Sequence, residues 1–447
     1  MKIPSLIMML LVGTWSYAQN PLVTHLYTAD PTARVFDGKL YVYPSSDTIP
    51  INTEEHPRFC MPGYNVFTLE KGATWKDHGR ILSNNDVPWG KKDAFAMWAP
   101  DCIKKDDKYY YYFPAKSADT GNHKIGVGVS KSPLGPFKWE KTPLAGVNGI
   151  DPGLLLDDDN KAYLYWGGGA RLYVAGLKDN MKEILGDPIE IQGLPGGYKE
   201  GSFPFKRNGL YYLTFAHVFQ DEGYTIGYAT ADNPFGPFTY GGKIMDNIDN
   251  GTNHHSVVEY QGQWILFYHW WDISGTNKLR SMRADYMEFR DDMKHNPGAI
   301  GKVIPTLRGI GTPTLGDTIQ IDRYNEISDA QTAFVTDGEP TGWMVCEAKH
   351  NAYVRFNRVD FGDGSAKKFQ ARLASGQRFG AIEVHLNDPR GKKIAEWNIE
   401  YTGGWHQWKT VELELLSKIE GIHDLCVVFK GQSGMTKTAN LNWLILN

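Results

Sequence analysis

Along residues 27–287 the apolar positions come in short alternating runs cut by Gly, Asp and Asn. Sustained helical periodicity is weak throughout, so strands are expected. One unit recurs: a polar turn followed by an aromatic, alternating strand. It reads Gly38-Lys39-Leu40-Tyr41-Val42-Tyr43, then Asp107-Lys108-Tyr109-Tyr110-Tyr111-Tyr112, then Asn160-Lys161-Ala162-Tyr163-Leu164-Tyr165. It returns as Asn208-Gly209-Leu210-Tyr211-Tyr212-Leu213 and as Gly262-Gln263-Trp264-Ile265-Leu266-Phe267. Each is the turn and second strand of a β-hairpin. The turns fall at 38, 107, 160, 208 and 262, in steps of 69, 53, 48 and 54. Roughly fifty residues is the length of a four-stranded propeller blade. Flanking pieces repeat as well: Ser132-Pro133-Leu134-Gly135-Pro136-Phe137 matches Asn233-Pro234-Phe235-Gly236-Pro237-Phe238. The fold class expected is all-β, beginning with a five-bladed β-propeller.

The residues that lead into each turn share a register. Asp30 and Glu200 lie eight before their turns, Trp98 and Asp151 nine, and His254 eight. A fixed place in a repeat is a fixed place about the propeller axis. If these hairpins are innermost, Asp30, Trp98, Asp151, Glu200 and His254 gather at one end of the channel. Taken singly, each has an ordinary reading: Asp-Pro strand starts, a loop acid, an interior imidazole, a packing indole. At one shared register, a site is the better reading. Three carboxylates about one axis raise one another's pKa, which costs a structural core.

After Thr312-Pro313-Thr314-Leu315-Gly316 the repeat stops. Short alternating strands follow at Tyr353–Phe356, Ala381–Leu386 and Cys426–Phe429. They predict a β-sandwich, jelly-roll-like, over 313–447. The propeller is then 19–312. Residues 1–18 read as a secretory signal: Met1-Lys2, an apolar run from Leu6 to Val12, and a cut after Ala18. That run is too short to span a membrane, and no later stretch is long and apolar enough either. Export to the periplasm or medium is expected.

With 47 basic and 51 acidic residues the net charge is -4, which leaves no basic footprint for nucleic acid. Cys60, Cys102, Cys346 and Cys426 fit no zinc spacing. Export permits bridges among them, and buried free thiols suit the spacing at least as well.

Paired carboxylates facing a sugar are glycosidase chemistry. One acid protonates the leaving oxygen, another activates water, and a third raises the first one's pKa. Trp98 offers a stacking face. Asp101, three residues on, is placed to receive hydroxyls. His254 could hold water or a cation on the axis, with calcium the candidate. The stretches around Asp47–Arg58 and Lys91–Ala96 could wall the channel into a pocket.

The chain resembles glycoside hydrolase family 43, a family of five-bladed propellers. The resembling pieces are T-A-D-P-T-A-R-V-F-D-G-K-L-Y-V-Y (28–43), M-W-A-P-D (97–101), I-D-P-G-L-L-L-D-D-D (150–159), K-E-G-S-F (199–203) and N-H-H-S-V-V-E-Y (253–260). The resemblance implies an inverting enzyme on arabinose- and xylose-containing plant cell-wall glycans. It implies Asp30 as general base, Asp151 as pKa modulator and Glu200 as general acid. His254, with Ser256 two on, would lie near an axial cation or water, and Arg280 would serve the sugar pocket. No cofactor is required, and calcium is admitted. Inversion would set the base and acid carboxyls roughly 6.5–9.5 Å apart. V-D-F-G (359–362), Y-T-G-G-W-H-Q-W (401–408) and A-N-L-N-W-L (439–444) resemble carbohydrate-binding module family 6. That implies sugar contacts at Trp405 and Asn440. Glu347 stands where this family's aromatic partner of Trp405 is usual, and Gln320 and Asp322 stand at its calcium site. Without sugar binding, Trp405 and Trp408 would be core residues. Two alternative functions remain: an endo-acting arabinanase or galactanase, and a non-catalytic sugar-binding propeller.

Overall fold

A computed structural model describes residues 20–49, 59–70, 74–219, 222–248, 251–291, 298–335, 343–434 and 437–447. The expected signal, 1–18, lies outside them. The described residues carry strands almost throughout and no α-helix; Asn84–Asp86 forms a 3-10 turn.

Blade 1 holds β1 (Tyr27–Phe36), β2 (Lys39–Asp47), β3 (Gly63–Leu69) and β4 (Trp75–Ser83) in sequential antiparallel order. Blade 2 holds β5 (Asp101–Lys105), β6 (Lys108–Lys116), β7 (His123–Ser130) and β8 (Lys138–Trp139). Blade 3 holds β9 (Ile150–Leu156), β10 (Ala162–Gly168), β11 (Arg171–Leu177) and β12 (Ile184–Glu190). Blade 4 holds β13 (Tyr198–Arg207), β14 (Leu210–Phe219), β15 (Gly223–Ala231) and β16 (Thr239–Met245). Among the described residues blade 5 has three strands, β17 (His255–Tyr260), β18 (Gln263–Trp270) and β19 (Ser281–Met287), and β20 (Phe289–Arg290) and β21 (Ala299–Ile300) pair with each other after it. Residues 20–28 lie along β19: the Leu22 N–H donates to Met282 O (3.0 Å) and the Thr28 N–H to Arg280 O (2.8 Å). The chain's beginning therefore closes the ring, and pairing satisfies an edge that would otherwise stay open.

The first strand of each blade, β1, β5, β9, β13 and β17, faces its neighbours around the axis. That places the leading residue of every repeat at one channel mouth. Between blades the aromatic rings pack in clusters, such as Tyr43, Tyr64, Tyr111 and Phe113 between blades 1 and 2. The repeated S/N-P-x-G-P-F turns have a shared job. Tyr43 donates to Pro133 O (2.8 Å) and Tyr165 to Pro234 O (2.5 Å), so each turn is pinned by a tyrosine of the preceding blade.

Beyond the propeller two sheets face each other. One runs β24 (Gln331–Phe334), β25 (Trp343–Cys346), β32 (Asn440–Leu446), β27 (Lys368–Ala374) and β30 (Lys409–Glu414), with β22 (Thr318–Gln320) also on β32. The other runs β23 (Glu326–Ser328), β26 (Ala352–Asp360), β31 (Ile422–Lys430), β28 (Ala381–Leu386) and β29 (Lys393–Asn398). Their inner faces bury Val354, Phe356, Phe369, Val427, Phe429 and Leu444 in one core. All four cysteines are buried and unbridged. No helix among the described residues is long and apolar enough to cross a membrane.

Candidate active site

A pocket of about 160 Å³ opens at the channel mouth. Asp30, Trp98, Asp151, Glu200, His254 and Arg280 all line it. The shared register thus brings together all five leading residues, one from each blade.

The backbone explains how the acids reach the axis. Around Asp30-Pro31, Asp151-Pro152 and Glu200–Ser202 the inner strand carries one residue more than its partner. Such a bulge re-aims a side chain out of the alternating pattern. Asp30 and Asp151 hold left-handed φ values of +49° and +56°, an uncommon conformation for a residue with a Cβ. Beside Glu200 the same turn is made by Gly201 at φ +66°, where an added Cβ would come within 3.1 Å of His254 Nδ1.

Asp30 is caged. Arg280 Nη1 donates to its Oδ1 (3.2 Å) and Ser45 Oγ to its Oδ2 (2.7 Å). Its own N–H donates to Nδ1 of His269 (3.0 Å), whose Nε2 therefore donates to Thr252 O (2.7 Å). Burial alone would raise its pKa, but the Arg280 charge outweighs it and holds the carboxyl far below the usual range. Arg280 is itself 2% exposed and gripped by Asp47: its N–H, Nε and Nη2 all donate to that carboxylate at 2.8–2.9 Å. Its guanidinium lies 4.4 Å from the Phe59 ring centroid.

Asp151 and Glu200 form the opposite arrangement. Asp151 Oδ2 accepts the Gly201 N–H (2.8 Å), so the two acids sit side by side from adjacent blades. Burial, then the charge of Glu200, pushes Asp151 well above the usual carboxylate range. Glu200 is raised too, by burial and by the charge of Asp30. Tyr224 hydrogen-bonds Glu200, and burial pushes its own phenol up to about 12. Burial drives His254 down to about 4, so its imidazole is neutral at pH 7, with Nδ1 4.0 Å from Asp151. Trp98 is half-buried against His123, ring centroids 4.1 Å apart.

One expected residue is elsewhere. Asp101 is 1% exposed and absent from the pocket wall. Its carboxylate takes the fork of Arg34 and the N–H groups of Cys102 and Leu154 (both 2.7 Å). It ties three inner strands together below the mouth, and every lone pair it could offer a hydroxyl is already used. Ser256 is likewise structural: it accepts the Ala33 N–H (2.9 Å) and donates to Pro31 O (2.7 Å), bracing the Asp30 bulge. Lys91–Ala96 contributes no lining residue; Phe95 O accepts the Met61 N–H behind the wall. Residues 50–58 lie outside the described set.

Sequence reasoning missed Phe59, Met61, Tyr224, Thr252 and Asn253 of the wall, and the supports Ser45, Asp47 and His269. They sit outside the repeated hairpin signature, so no register marks them. Asn253 is 3% exposed, and neither amide atom has a hydrogen-bond partner. Among the described residues, no three His, Cys, Asp or Glu side chains converge as a metal site. Calcium takes six to eight oxygens, so an ion beside His254 would draw most of its ligands from water.

In the sandwich, Trp405 and Asn440 do meet: Asn440 Nδ2 donates to Trp405 O (2.7 Å). Trp408, not Trp405, packs against the small cluster of Val335, Met344 and Cys346.

Comparison with known proteins places the chain in a family. Residues 18–294 match the model of glycosyl hydrolases family 43, and residues 322–447 match carbohydrate binding module (family 6). The chain belongs to glycosyl hydrolases family 43. It is 36% identical over 326 residues to the xylosidase/arabinosidase 43A of Humicola insolens, covering 61% of this chain and 97% of that protein. It is 30% identical over 484 residues to an arabinoxylan arabinofuranohydrolase of Paenibacillus polymyxa, covering 95% and 73%. A solved β-xylosidase/α-arabinofuranosidase from a compost metagenome, complexed with xylotriose in a calcium-free form, aligns with TM-score 0.57 at 36% identity, over 64% of this chain and 98% of that one. A Bacillus subtilis arabinoxylan arabinofuranohydrolase in complex with cellotetraose aligns with TM-score 0.57 at 27% identity, over 96% and 97%.

Proposed function

We propose that the propeller is an inverting glycoside hydrolase releasing terminal xylose or arabinofuranose from xylan-type plant glycans. The observation that carries this reading is the opposed electrostatics of two acids in one pocket. Asp30 is held ionised by Arg280, and Glu200 is biased toward its protonated form. That is the division of labour between a base and an acid.

In the reaction, Glu200 gives its proton to the leaving glycosidic oxygen as that bond breaks. Water attacks the anomeric carbon from the opposite face and passes a proton to Asp30. Asp151 orients Glu200 through the Gly201 turn, and the two buried acids titrate as one pair in which ionising either resists ionising the other. Asp30 and Glu200 come from blades 1 and 4, which blade 5 separates, whereas Asp151 and Glu200 come from neighbouring blades. Inversion requires room for a water between base and acid, and acids carried on non-adjacent blades suit that requirement. Trp98 and Arg280 frame the sugar. Calcium near His254 is an accessory in this reading. A pocket of about 160 Å³ is small beside the roughly 300–1,000 Å³ of drug-sized sites, which supports capture of a chain end over endo action.

The binding-only alternative has less support. A lectin gains no affinity from a crowded acid pair, while buried like charges cost stability. Export is part of the proposal: residues 1–18 have the charge, apolar run and small-residue cut of a signal. Amino-terminal sequencing of the exported protein should begin at Gln19.

The test is product stereochemistry. Proton NMR of a pentoside digest should show the inverted anomer first, and Glu200→Gln should abolish release from a poor leaving group. A retained anomer would remove the inverting assignment, and full activity of the variant would remove Glu200 as the acid.

A further inference from the structure

The Trp405 cleft of the sandwich is not dressed for a neutral sugar. One side of its indole is backed by Gly376, where a Cβ would fall 2.6 Å from the five-membered ring. Above the ring stands a cation, Lys437 Nζ, 4.6 Å from the ring centroid. Glu347 holds that ammonium at 2.8 Å, from a backbone in the left-handed region at φ +46°. Asn440, fully buried, spends its Nδ2 on Trp405 O and leaves its Oδ1 without a hydrogen-bond partner. On the exposed rim the arrangement recurs: the Arg378 guanidinium lies 5.5 Å from the Tyr401 ring centroid.

We propose that this cleft binds a glycan bearing a carboxylate, a uronic-acid-substituted chain, and that Lys437 is its specificity-determining residue. The ligand carboxylate shares Lys437 with Glu347, since the ammonium has three N–H donors and Glu347 takes one of them. A sugar hydroxyl donates to the open Asn440 Oδ1, and Tyr401 with Arg378 extends the platform. A neutral chain gains no charge-assisted hydrogen bond from Lys437, so it binds more weakly. The inference rests on sugar binding by the sandwich and is independent of the propeller chemistry.

Affinity electrophoresis of the full chain, with and without Glu200→Gln, tests it. The two gels hold glucuronoxylan and the same polymer with its carboxyls reduced to alcohols. The native protein should be retarded about tenfold more strongly by the acidic polymer, roughly the worth of one charge-assisted hydrogen bond. Added salt should narrow that gap. Lys437→Ala should remove the preference while leaving hydrolysis of a small chromogenic pentoside unchanged. Trp405→Ala should lose both polymers. Equal retardation by the two polymers, no retardation by the acidic one, or an undiminished preference in Lys437→Ala would each overturn the proposal. Loss of pentosidase activity in Glu200→Gln bears on the propeller alone.

Discussion

Asp30 and Asp151 are locally one residue placed twice. Each precedes a proline, has a left-handed φ and occupies a bulge at the start of an inner strand. Yet one is driven far below the usual carboxylate range and the other far above it. The backbone repeat delivers a carboxyl to the axis and stops there. Its charge is decided by what the other blades bring. Blade 5 brings Arg280 and His269 to Asp30, and blade 4 brings Glu200 to Asp151. Position in this fold comes from local sequence, while protonation comes from neighbours remote along the chain.

The sharpest way to break that contrast is to neutralise each acid in turn. Asp30→Asn and Glu200→Gln should each cut kcat on a poor-leaving-group pentoside by about 10²–10⁴-fold, the usual worth of a positioned acid or base. An activated aryl pentoside, needing little protonation, should rescue Glu200→Gln and not Asp30→Asn. Rescue of both would dissolve the division between them.

Asp151→Asn should cost less, on the order of 10–100-fold, and should change the shape of the pH profile. Glu200 must be protonated to act, and two buried carboxyls side by side titrate as one pair, each resisting the other's ionisation. Without that partner Glu200 keeps only burial and the Asp30 charge to hold its proton. The alkaline limb of kcat/KM should then move to lower pH. An unmoved limb would separate Asp151 from the acid's titration.

Asp101→Asn compares an axial acid that is structural. It strands Arg34 without its partner below the pocket, and unfolding free energy should fall by about 3–5 kcal/mol. The kcat of the folded fraction should hold, as urea titration and rate measurement on one sample would show.

The smallest effect concerns stability alone. The raised pKa of Glu200 means that the native state binds its proton more tightly than the unfolded chain. Stability therefore declines as pH rises from the unfolded value, near 4.3, through the folded one, and the full penalty remains above it. Glu200→Gln escapes this. It should melt a few degrees higher at pH 7, at about 2–4 °C per kcal/mol for a domain of this size. At pH 4 the two melts should coincide; a gap at both pH values would point to packing instead of charge.

Much of the site was legible because a tandem fold converts spacing into geometry. Offsets of eight or nine residues before five turns placed Asp30, Trp98, Asp151, Glu200 and His254 at one mouth. Asp101 was misplaced because nearness to Trp98 in sequence stands in poorly for depth in the channel. Three residues along the chain, into the first position of β5, carry a side chain from the mouth to the packed axis, where Arg34 waits. Tyr224, Thr252 and Asn253 carried no repeat signal, since they enter from loops and outer strands whose lengths vary. The closure of blade 5 was unreadable for a similar reason: residues 20–28, far from it in sequence, lie along β19.

What the sequence by itself determined is the period, the bulge-prone Asp-Pro starts and hence which carboxyls meet. Alternation and turn chemistry are local and survive without knowledge of the fold. What only the tertiary structure decided is which carboxyl keeps its proton. That depends on a guanidinium 250 positions away being drawn to 3.2 Å, in a place dry enough for its charge to count.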